Sequence, residues 1–259
     1  CVIRNPYTRI VSDFKFWIKF YKTYKNKKHD YYFKYLLKEI EDIYEMNEKM
    51  VDLFDKGVLL GISLKKATGV GGVGKIGFPM AEALAEAGAL VYIASSRKDG
   101  YEKALQKLSG AGLKVRGIRL DMSDEKSVQQ ALIKIEQDSK IPDILINSGS
   151  NRPMRKFMED SVENWDLSMS VYARGIFVTC RAFANKMSEQ GSGSIINVSS
   201  IYGIVAPDMN IYEGSNFETE PDYPFIKGGV IMFSKYLASY YANHGVRVNC
   251  IAPGGFFNN

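Results

Sequence analysis

The sequence predicts an α/β fold: a doubly wound parallel sheet with helices on both faces, preceded by a helical N-terminal extension. After residue 49, short apolar runs alternate with longer amphipathic stretches, and a glycine-rich segment precedes the first of the helical stretches. The chain has 259 residues, 46% of them hydrophobic and 24% charged. That composition supports a packed core and excludes global disorder.

The alternation of apolar runs and helical stretches is typical of parallel strands that are covered on both faces. The predicted strands are Leu90–Ala94, Leu113–Leu120, Ile141–Ile146, Ser194–Val198 and Val246–Ile251. The predicted helices are Met80–Ala87, Gly100–Leu108, Lys126–Gln137, Val162–Met187 and Gly228–Ala242.

The first strand is the least consistent part of this pattern. The apolar run Val58–Leu64 is its candidate, but Lys65 and Lys66 separate that run from the glycine-rich segment. Lysines are costly to bury in a central strand. We therefore expect either a short insertion or a locally scrambled stretch between the two.

Residues 1–49 differ in composition from the rest of the chain. They hold 11 Lys and Arg against 7 Asp and Glu, and 12 of the 32 aromatic residues. We place a domain boundary here, between residues 1–49 and 50–259. An amphipathic helical segment accounts for this composition better than nucleic-acid binding does.

A short pattern in this first segment resembles a fragment of the carbohydrate sulfotransferases. Residues 4–12 read Arg-Asn-Pro-x-x-Arg-x-x-Ser, and the resemblance extends over residues 1–45. It implies that Arg4 and Ser12 hold a phosphate, for which a guanidinium and a hydroxyl are suited. That family's other phosphate-binding loop is absent, so we expect an extension without activity.

Five glycines lie between residues 69 and 77, and such a segment lets the backbone approach a pyrophosphate closely. Two registers are possible, Gly69-Gly71-Gly74 and Gly71-Gly74-Gly77. The second is preferred because Gly77 lies about three helical turns before the Ala-Gly-Ala that ends the following helix. A glycine pattern alone is weak support for a nucleotide site.

Several other classes of function are disfavoured by the sequence. The three cysteines are widely spaced, and the two histidines, His29 and His244, leave little room for a metal site. No apolar run reaches the ~18 residues of a membrane helix. We expect no metal, no nucleic-acid partner, no membrane association and a cytoplasmic location.

From about residue 50 to its end the chain resembles the short-chain dehydrogenase/reductase family, whose sheet is of the Rossmann type. The motifs that carry the resemblance occur in the family's order: the glycine loop with Gly71, Gly74, Ile76 and Gly77; Leu120-Asp121-Met122; Asn147-Ser148-Gly149; the Ser-Ser pair that ends at Ser200; Tyr223-x-x-x-Lys227; and Pro253-Gly254. Tyr-x-x-x-Lys alone is unspecific, since it also occurs at Tyr21 and Tyr24 without a partner serine.

The resemblance implies an NAD(P)-dependent oxidoreductase that interconverts an alcohol and a carbonyl of a small molecule. Tyr223 would be the general acid/base, and Ser200 would donate a hydrogen bond to the substrate oxygen. Lys227 would favour the phenolate of Tyr223 and bind the nicotinamide ribose. Asp121 and Met122 would contact the adenine. Asn147, Ser148, Gly149, Pro253 and Gly254 would line the rest of the cofactor site.

The end of the second strand bears on the choice of cofactor. Ser95 and Arg97 stand where an acid would accept hydrogen bonds from the ribose of NAD. Hydroxyl and guanidinium groups suit the additional phosphate of NADP instead. We expect NADP to be preferred, with NAD as the alternative.

The chain departs from the family pattern in several places, of which Ser148 and Gly149, in place of Asn and Ala, are the mildest. Tyr172 occupies the position of the family's relay asparagine, and residues 206–221 lengthen the segment between Ser200 and Tyr223. That insertion is either a lid over the substrate or a plain surface loop. The chain stops soon after Pro253-Gly254, so we expect C-terminal truncation, whereas an intact relative would be a homo-oligomer.

The residues alone do not identify the substrate. A sulfotransferase-like neighbour suggests a sugar-like or polyol substrate by association alone. Two alternatives stay open: a catalytically impaired nucleotide-binding protein of the same fold, and a sulfotransferase fragment.

Overall fold

Six parallel strands form one sheet in the part of the chain that the computed structural model describes, residues 66–70, 72–139, 141–149, 153–214 and 218–254. In chain order they are β1 Lys66–Val70, β2 Leu90–Ser95, β3 Val115–Arg119, β4 Ile144–Asn147, β5 Gly193–Val198 and β6 Val246–Ile251. Their order across the sheet is β3-β2-β1-β4-β5-β6. The chain winds outward from β1 in both directions, which confirms the doubly wound sheet.

The helices that connect the strands largely coincide with the predicted ones. They are α1 Gly77–Glu86, α2 Lys98–Gly110, α3 Glu125–Ser139, α4 Val162–Ser168, α5 Arg174–Glu189 and α6 Asp222–Tyr240. Short 3₁₀ helices at Ile201–Gly203, Met209–Tyr212 and Ala242–His244 lie in the connections. The single helix predicted over residues 162–187 is interrupted by a π-helical segment, Met169–Ala173, between α4 and α5.

The expectation for the first strand is wrong. β1 is Lys66–Val70 and leads directly into the glycine-rich segment, while Val58–Leu64 lies outside the described residues. Lys66 is only the first residue of the strand, where it pairs with Leu90. The centre of β1 is Ala67-Thr68-Gly69, which pairs with both β2 and β4. Gly69 is therefore a strand residue, which favours the second glycine register.

The core lies against the sheet, where apolar strands meet apolar helix faces. Leu145 of β4 and Ile195 of β5 have no exposed surface, and neither does Phe183 of α5. Ile135 of α3 and Val248 of β6 extend the same cluster. Strands buried on both faces explain the nearly continuous apolar runs of the sequence.

All the described residues belong to one compact unit. The boundary predicted at residues 49–50 lies outside them, as does the segment that resembles a sulfotransferase. None of the helices described is both long and apolar enough to cross a membrane.

Candidate active site

The candidate catalytic residues come from the end of β5 and the start of α6. Ser200 lies two residues beyond β5, is 6% exposed, and caps the 3₁₀ helix Ile201–Gly203 by accepting a hydrogen bond from Tyr202 N (3.2 Å). Tyr223 is the second residue of α6 and is half-buried. Lys227 follows four residues later on the same helix and is 5% exposed.

The Lys227 ammonium is held inside the protein. Its Nζ donates hydrogen bonds to the carbonyl oxygen of Val198 (2.8 Å) and to the hydroxyl of Tyr172. It lies 5.5 Å from the ring centroid of Tyr223 and 4.7 Å from that of Tyr172. The structure thus brings the positive charge of Lys227 close to the predicted acid/base.

Close backbone packing holds the serine segment against α6. Ser199 Oγ donates a hydrogen bond to the carbonyl oxygen of Lys227 (2.7 Å). A Cβ atom on Gly203 would lie 2.6 Å from the carbonyl carbon of Lys227, so only glycine allows this approach. The positions of Ser200 and Lys227 are therefore coupled through the backbone.

The insertion at residues 206–221 packs beside the site. Its Tyr212 hydroxyl lies 3.0 Å from the hydroxyl of Tyr202 and accepts a hydrogen bond from Thr219 Oγ1 (2.7 Å). Tyr202 in turn meets the Tyr223 ring edge-on, with 6.5 Å between centroids. The hydrogen bond to Tyr212, together with burial, raises the pKa of Tyr202 to about 12, so this phenol stays protonated at neutral pH.

The insertion also reaches the segment that follows β4. Glu218 accepts a hydrogen bond from Phe157 N (3.3 Å). Met209 and Ile211, in contrast, are more than half exposed. The inner side of the insertion is therefore anchored near Tyr223, and its outer side faces solvent.

The glycine loop leads into α1 in a form that suits a pyrophosphate. Gly77 is buried as the first residue of α1, and Phe78 N donates to Gly74 O (2.8 Å). The N-cap residue Ile76 supplies no side-chain hydrogen bond to the helix. The first-turn N–H groups thus lack a side-chain cap, as expected at a helix terminus that binds phosphate. Gly71 lies outside the described residues.

Two further strand ends present the residues assigned to the adenosine half. Ser95 ends β2, and its Oγ accepts a hydrogen bond from Arg97 N (3.3 Å), while the Arg97 side chain is exposed before α2.

Asp121 follows β3 and accepts hydrogen bonds from Ser123 N (2.9 Å) and Oγ (2.6 Å). Met122 packs into the core against Gly175, so only its backbone could reach an adenine.

The residue that ends β4 takes part in a buried network of hydrogen bonds. Asn147 is 1% exposed and donates hydrogen bonds to Asn197 Oδ1 (2.8 Å) and Cys180 Sγ (3.3 Å). Its side chain therefore belongs to a buried polar network. The two residues after it, Ser148 and Gly149, are half-buried at the carboxyl end of the strand.

Pro253 and Gly254 follow β6 at the same edge of the sheet. Ile201 N donates a hydrogen bond to Pro253 O (2.9 Å), and Gly254 lies next to the Ile201 side chain. This contact ties the predicted nicotinamide turn to the segment that carries Ser200.

The sequence identified Tyr172 as a departure from the family pattern, but it did not predict the hydrogen bond between the Tyr172 hydroxyl and Lys227. It also missed Ser199, Tyr202 and Tyr212, although Tyr202 follows Ser200 by only two residues. Asp222 was missed as well: it is 1% exposed, immediately precedes Tyr223, and accepts a hydrogen bond from Ser168. Within the described ranges, no group of three His, Cys, Asp or Glu could hold a metal ion.

Comparison with known proteins identifies relatives of residues 65–257, which match the family model for short chain dehydrogenases. The D-threitol dehydrogenase of Mycolicibacterium smegmatis is 32% identical over 190 residues, 73% of this chain and 69% of the relative. The gluconate 5-dehydrogenase of Gluconobacter oxydans is 29% identical over 199 residues, 76% of this chain and 73% of the relative.

A solved structure extends this likeness to three dimensions. The gluconate 5-dehydrogenase of Burkholderia cenocepacia, in complex with NADP and tartrate, superimposes with a TM-score of 0.67 and 26% identity, covering 75% of this chain and 72% of that one. The family match begins at residue 65, so it gives no support to the resemblance of residues 1–45 to sulfotransferases.

Proposed function

This chain belongs to the short-chain dehydrogenase/reductase family, and we propose that it uses Tyr223 as the general acid/base in interconverting an alcohol and a carbonyl. As a family member it is an oxidoreductase that acts on CH–OH groups with NAD(P). The observation that carries the proposal is the buried Lys227 ammonium beside the half-buried Tyr223, on a helix against which the segment that carries Ser200 is packed.

Each of the three residues has a chemical task in the oxidation direction. The Tyr223 oxygen takes the proton from the substrate hydroxyl, and the Ser200 hydroxyl donates a hydrogen bond to the same substrate oxygen. The Lys227 ammonium stabilises negative charge on the phenolate oxygen. NAD(P)⁺, when bound, accepts the hydride from the substrate carbon. In the reverse direction Tyr223 returns the proton.

We propose that NADP is preferred over NAD. Ser95 and Arg97 stand at the end of β2 with no acid between residues 95 and 97, and the exposed Arg97 guanidinium can reach a phosphate. The related Burkholderia gluconate 5-dehydrogenase was solved with NADP bound.

Calorimetric titration of the purified chain with NADPH and then NADH tests this preference. We expect a lower Kd for NADPH, and we expect Arg97→Glu to weaken NADPH binding about 10-fold or more while NADH binding changes little. Lys126→Glu, on the exposed start of α3, is the matched charge control and should change neither Kd. Tighter binding of NADH by the wild-type chain would contradict the proposal.

We propose a polyol or sugar-like substrate. Relatives named for threitol and gluconate support this class. So does the hydroxyl of Tyr202, whose ring meets that of Tyr223 and which is joined through Tyr212 to Thr219 by hydrogen bonds. Initial rates on a panel of polyols, sugar acids and simple secondary alcohols test it. Turnover confined to alcohols without a neighbouring hydroxyl would overturn the substrate class and leave the reaction class standing.

A nucleotide-binding protein without turnover is the second candidate. It is favoured by Tyr172, which replaces the family's relay asparagine and contacts Lys227 directly. Binding of NADPH with no turnover on the whole panel would support it.

A homo-oligomeric state and a cytoplasmic location remain predictions, and light scattering of the purified chain tests the first.

A further inference from the structure

A second tyrosine contacts the lysine of the candidate site, and we propose that this residue, Tyr172, positions Lys227 for the reaction. Tyr172 lies in the π-helical segment Met169–Ala173 and is 1% exposed. Its hydroxyl accepts a hydrogen bond from Lys227 Nζ. The role in the reaction rests on the proposed function, whereas the contact itself can be tested without turnover.

The surroundings of the ammonium explain why this contact matters. A buried ammonium is costly unless hydrogen-bond acceptors replace water. Val198 O of β5 and the Tyr172 hydroxyl act as such acceptors. On the same helix as the ammonium, Tyr223 lies close to it and Asp222 stands five residues earlier. The charge of the ammonium also opposes the burial that raises the pKa of the Cys250 thiol in β6. Loss of the Tyr172 hydroxyl would remove one acceptor and leave the charge less stable.

The residue that precedes the π-helical segment makes a second contact with the first part of α6. Ser168, the residue before the segment, donates a hydrogen bond from Oγ to the Asp222 carboxylate. Asp222 and Lys227 lie on either side of Tyr223 along α6. Ser168 and Tyr172 therefore hold the helix at two points that enclose Tyr223. Single π-helical turns occur frequently at functional sites, where they redirect side chains.

The length of the tyrosine side chain makes a direct contact possible. An asparagine at residue 172, as in the family pattern, would be too short to reach Nζ from the same backbone position. Tyr172 thus performs the positioning with its own hydroxyl. It exchanges no proton with the substrate and acts through Lys227.

The experiment measures the ionisation of Lys227 by NMR in chain labelled with ¹³C and ¹⁵N at lysine, with the signal assigned from Lys227→Arg. In Tyr172→Phe the ring is kept and the hydroxyl is removed. We expect Lys227 to lose its proton at a lower pH in this variant than in the wild-type chain, because its ammonium has lost an acceptor. Tyr241→Phe is the matched control: it removes another buried hydroxyl, which donates to Asn185 Oδ1 (2.7 Å). It should leave the Lys227 titration unchanged.

Kinetics provide the second readout. Tyr172→Phe is expected to lower kcat about 10-fold, with little change in substrate KM and with the high-pH limb of the rate profile moved to lower pH. Tyr172→Asn should also lower kcat. A Lys227 titration in Tyr172→Phe identical to wild type, or a higher kcat in Tyr172→Asn, would overturn the proposal.

The role of Tyr172 can still be decided if the proposed function fails or if the variant does not fold. If the wild-type chain turns over no substrate, the proposed function fails, and the NMR titration still decides the role of Tyr172 toward Lys227. If Tyr172→Phe does not fold, the wild-type chain supplies the answer. Nuclear Overhauser contacts between the Lys227 ammonium and the Tyr172 ring protons are then expected, and their absence would overturn the proposal.

Discussion

The buried ammonium of Lys227 needs hydrogen-bond acceptors, and two distant parts of the chain supply them. Val198 ends β5, and Tyr172 lies in the π-helical segment before α5. Neither contact is visible in the Tyr-x-x-x-Lys pattern, which identifies Lys227 only relative to Tyr223. The pattern gives the residue types, and the tertiary structure fixes where the charge lies.

A buried polar network supports the same edge of the sheet at the residue scale. Asn147 and Asn197 are hydrogen-bonded across neighbouring strands, and Asn197 Nδ2 reaches Ser234 Oγ of α6 (3.0 Å). Cys180 lies against both asparagines. Hydrogen-bonded networks of this kind hold strand ends in register, since a buried amide group without partners would be costly.

The thiol of Cys180 should be inert in the native protein. Burial raises its pKa to about 12, although its hydrogen bonds with Asn147 and Asn197 lower the pKa in part. In a chain whose Cys1 and Cys250 are replaced by serine, we expect negligible reaction with a disulfide reagent at pH 8 and full reaction after denaturation. A chain that keeps only Cys250, which is less buried, is the control and should react faster.

The same residue gives a pH dependence of stability. The Cys180 thiol ionises near pH 9 when unfolded and near 12 when folded, so the unfolded state binds fewer protons between these values. Its contribution to the free energy of unfolding therefore falls as the pH rises above about 9. Rapid reaction of Cys180 with the disulfide reagent in the native protein at pH 8 would contradict the burial on which both predictions depend.

At the scale of elements, the site depends on the contact between the 3₁₀ helix Ile201–Gly203 and α6. Gly203 allows the two backbones to touch at Lys227. Ser199 adds a side-chain hydrogen bond across the same junction. Ser200 caps the first of these elements and Tyr223 lies on the second, so their separation is set by this packing.

Gly203→Ala tests the junction. The added Cβ would lie within 2.7 Å of the carbonyl carbon and oxygen of Lys227, so the backbones must separate. We expect a loss of about 1–3 kcal/mol in the free energy of unfolding, measured by urea denaturation, together with a large fall in kcat.

Gly229→Ala is the matched control within α6, since a Cβ there meets no atom within 4 Å. It should raise the free energy of unfolding by about 0.5–1 kcal/mol and leave kcat unchanged. Equal effects of the two substitutions would show that the junction does not position the site.

The elements also show where sequence reasoning succeeded. The apolar runs predicted β2, β4 and β5 because strands that are buried along nearly their whole length must be apolar. They also predicted β3 and β6, which lie at the two edges of the described sheet and are only partly buried. β1 was missed because a lysine, Lys66, argues against a central strand. The small residues Ala67 and Gly69 that follow it are readily accommodated in one. The contact of Tyr212 with Tyr202 was not predictable, since nothing in the sequence says how an insertion folds back.

At the scale of the whole molecule, the parallel sheet gathers the candidate residues at one edge. The carboxyl ends of all six described strands lie there because the strands run in the same direction. β1 and β4 are neighbours, so the winding reverses between them, which is where ligands bind in such sheets. The fold class was predictable from the order of elements, whereas the packing of the insertion beside Tyr202 was not.

Tyr223 is the residue on which the proposed reaction depends most directly. The decisive measurement is kcat of Tyr223→Phe with NADP⁺ and the polyol that the wild-type chain oxidises fastest, alongside the Kd for NADPH. Tyr240→Phe, on the exposed end of the same helix, is the matched control. We predict a loss of about 10²–10⁴-fold in kcat with an unchanged Kd, because the variant keeps the ring and loses only the acid/base hydroxyl. Wild-type turnover in Tyr223→Phe would contradict the assignment.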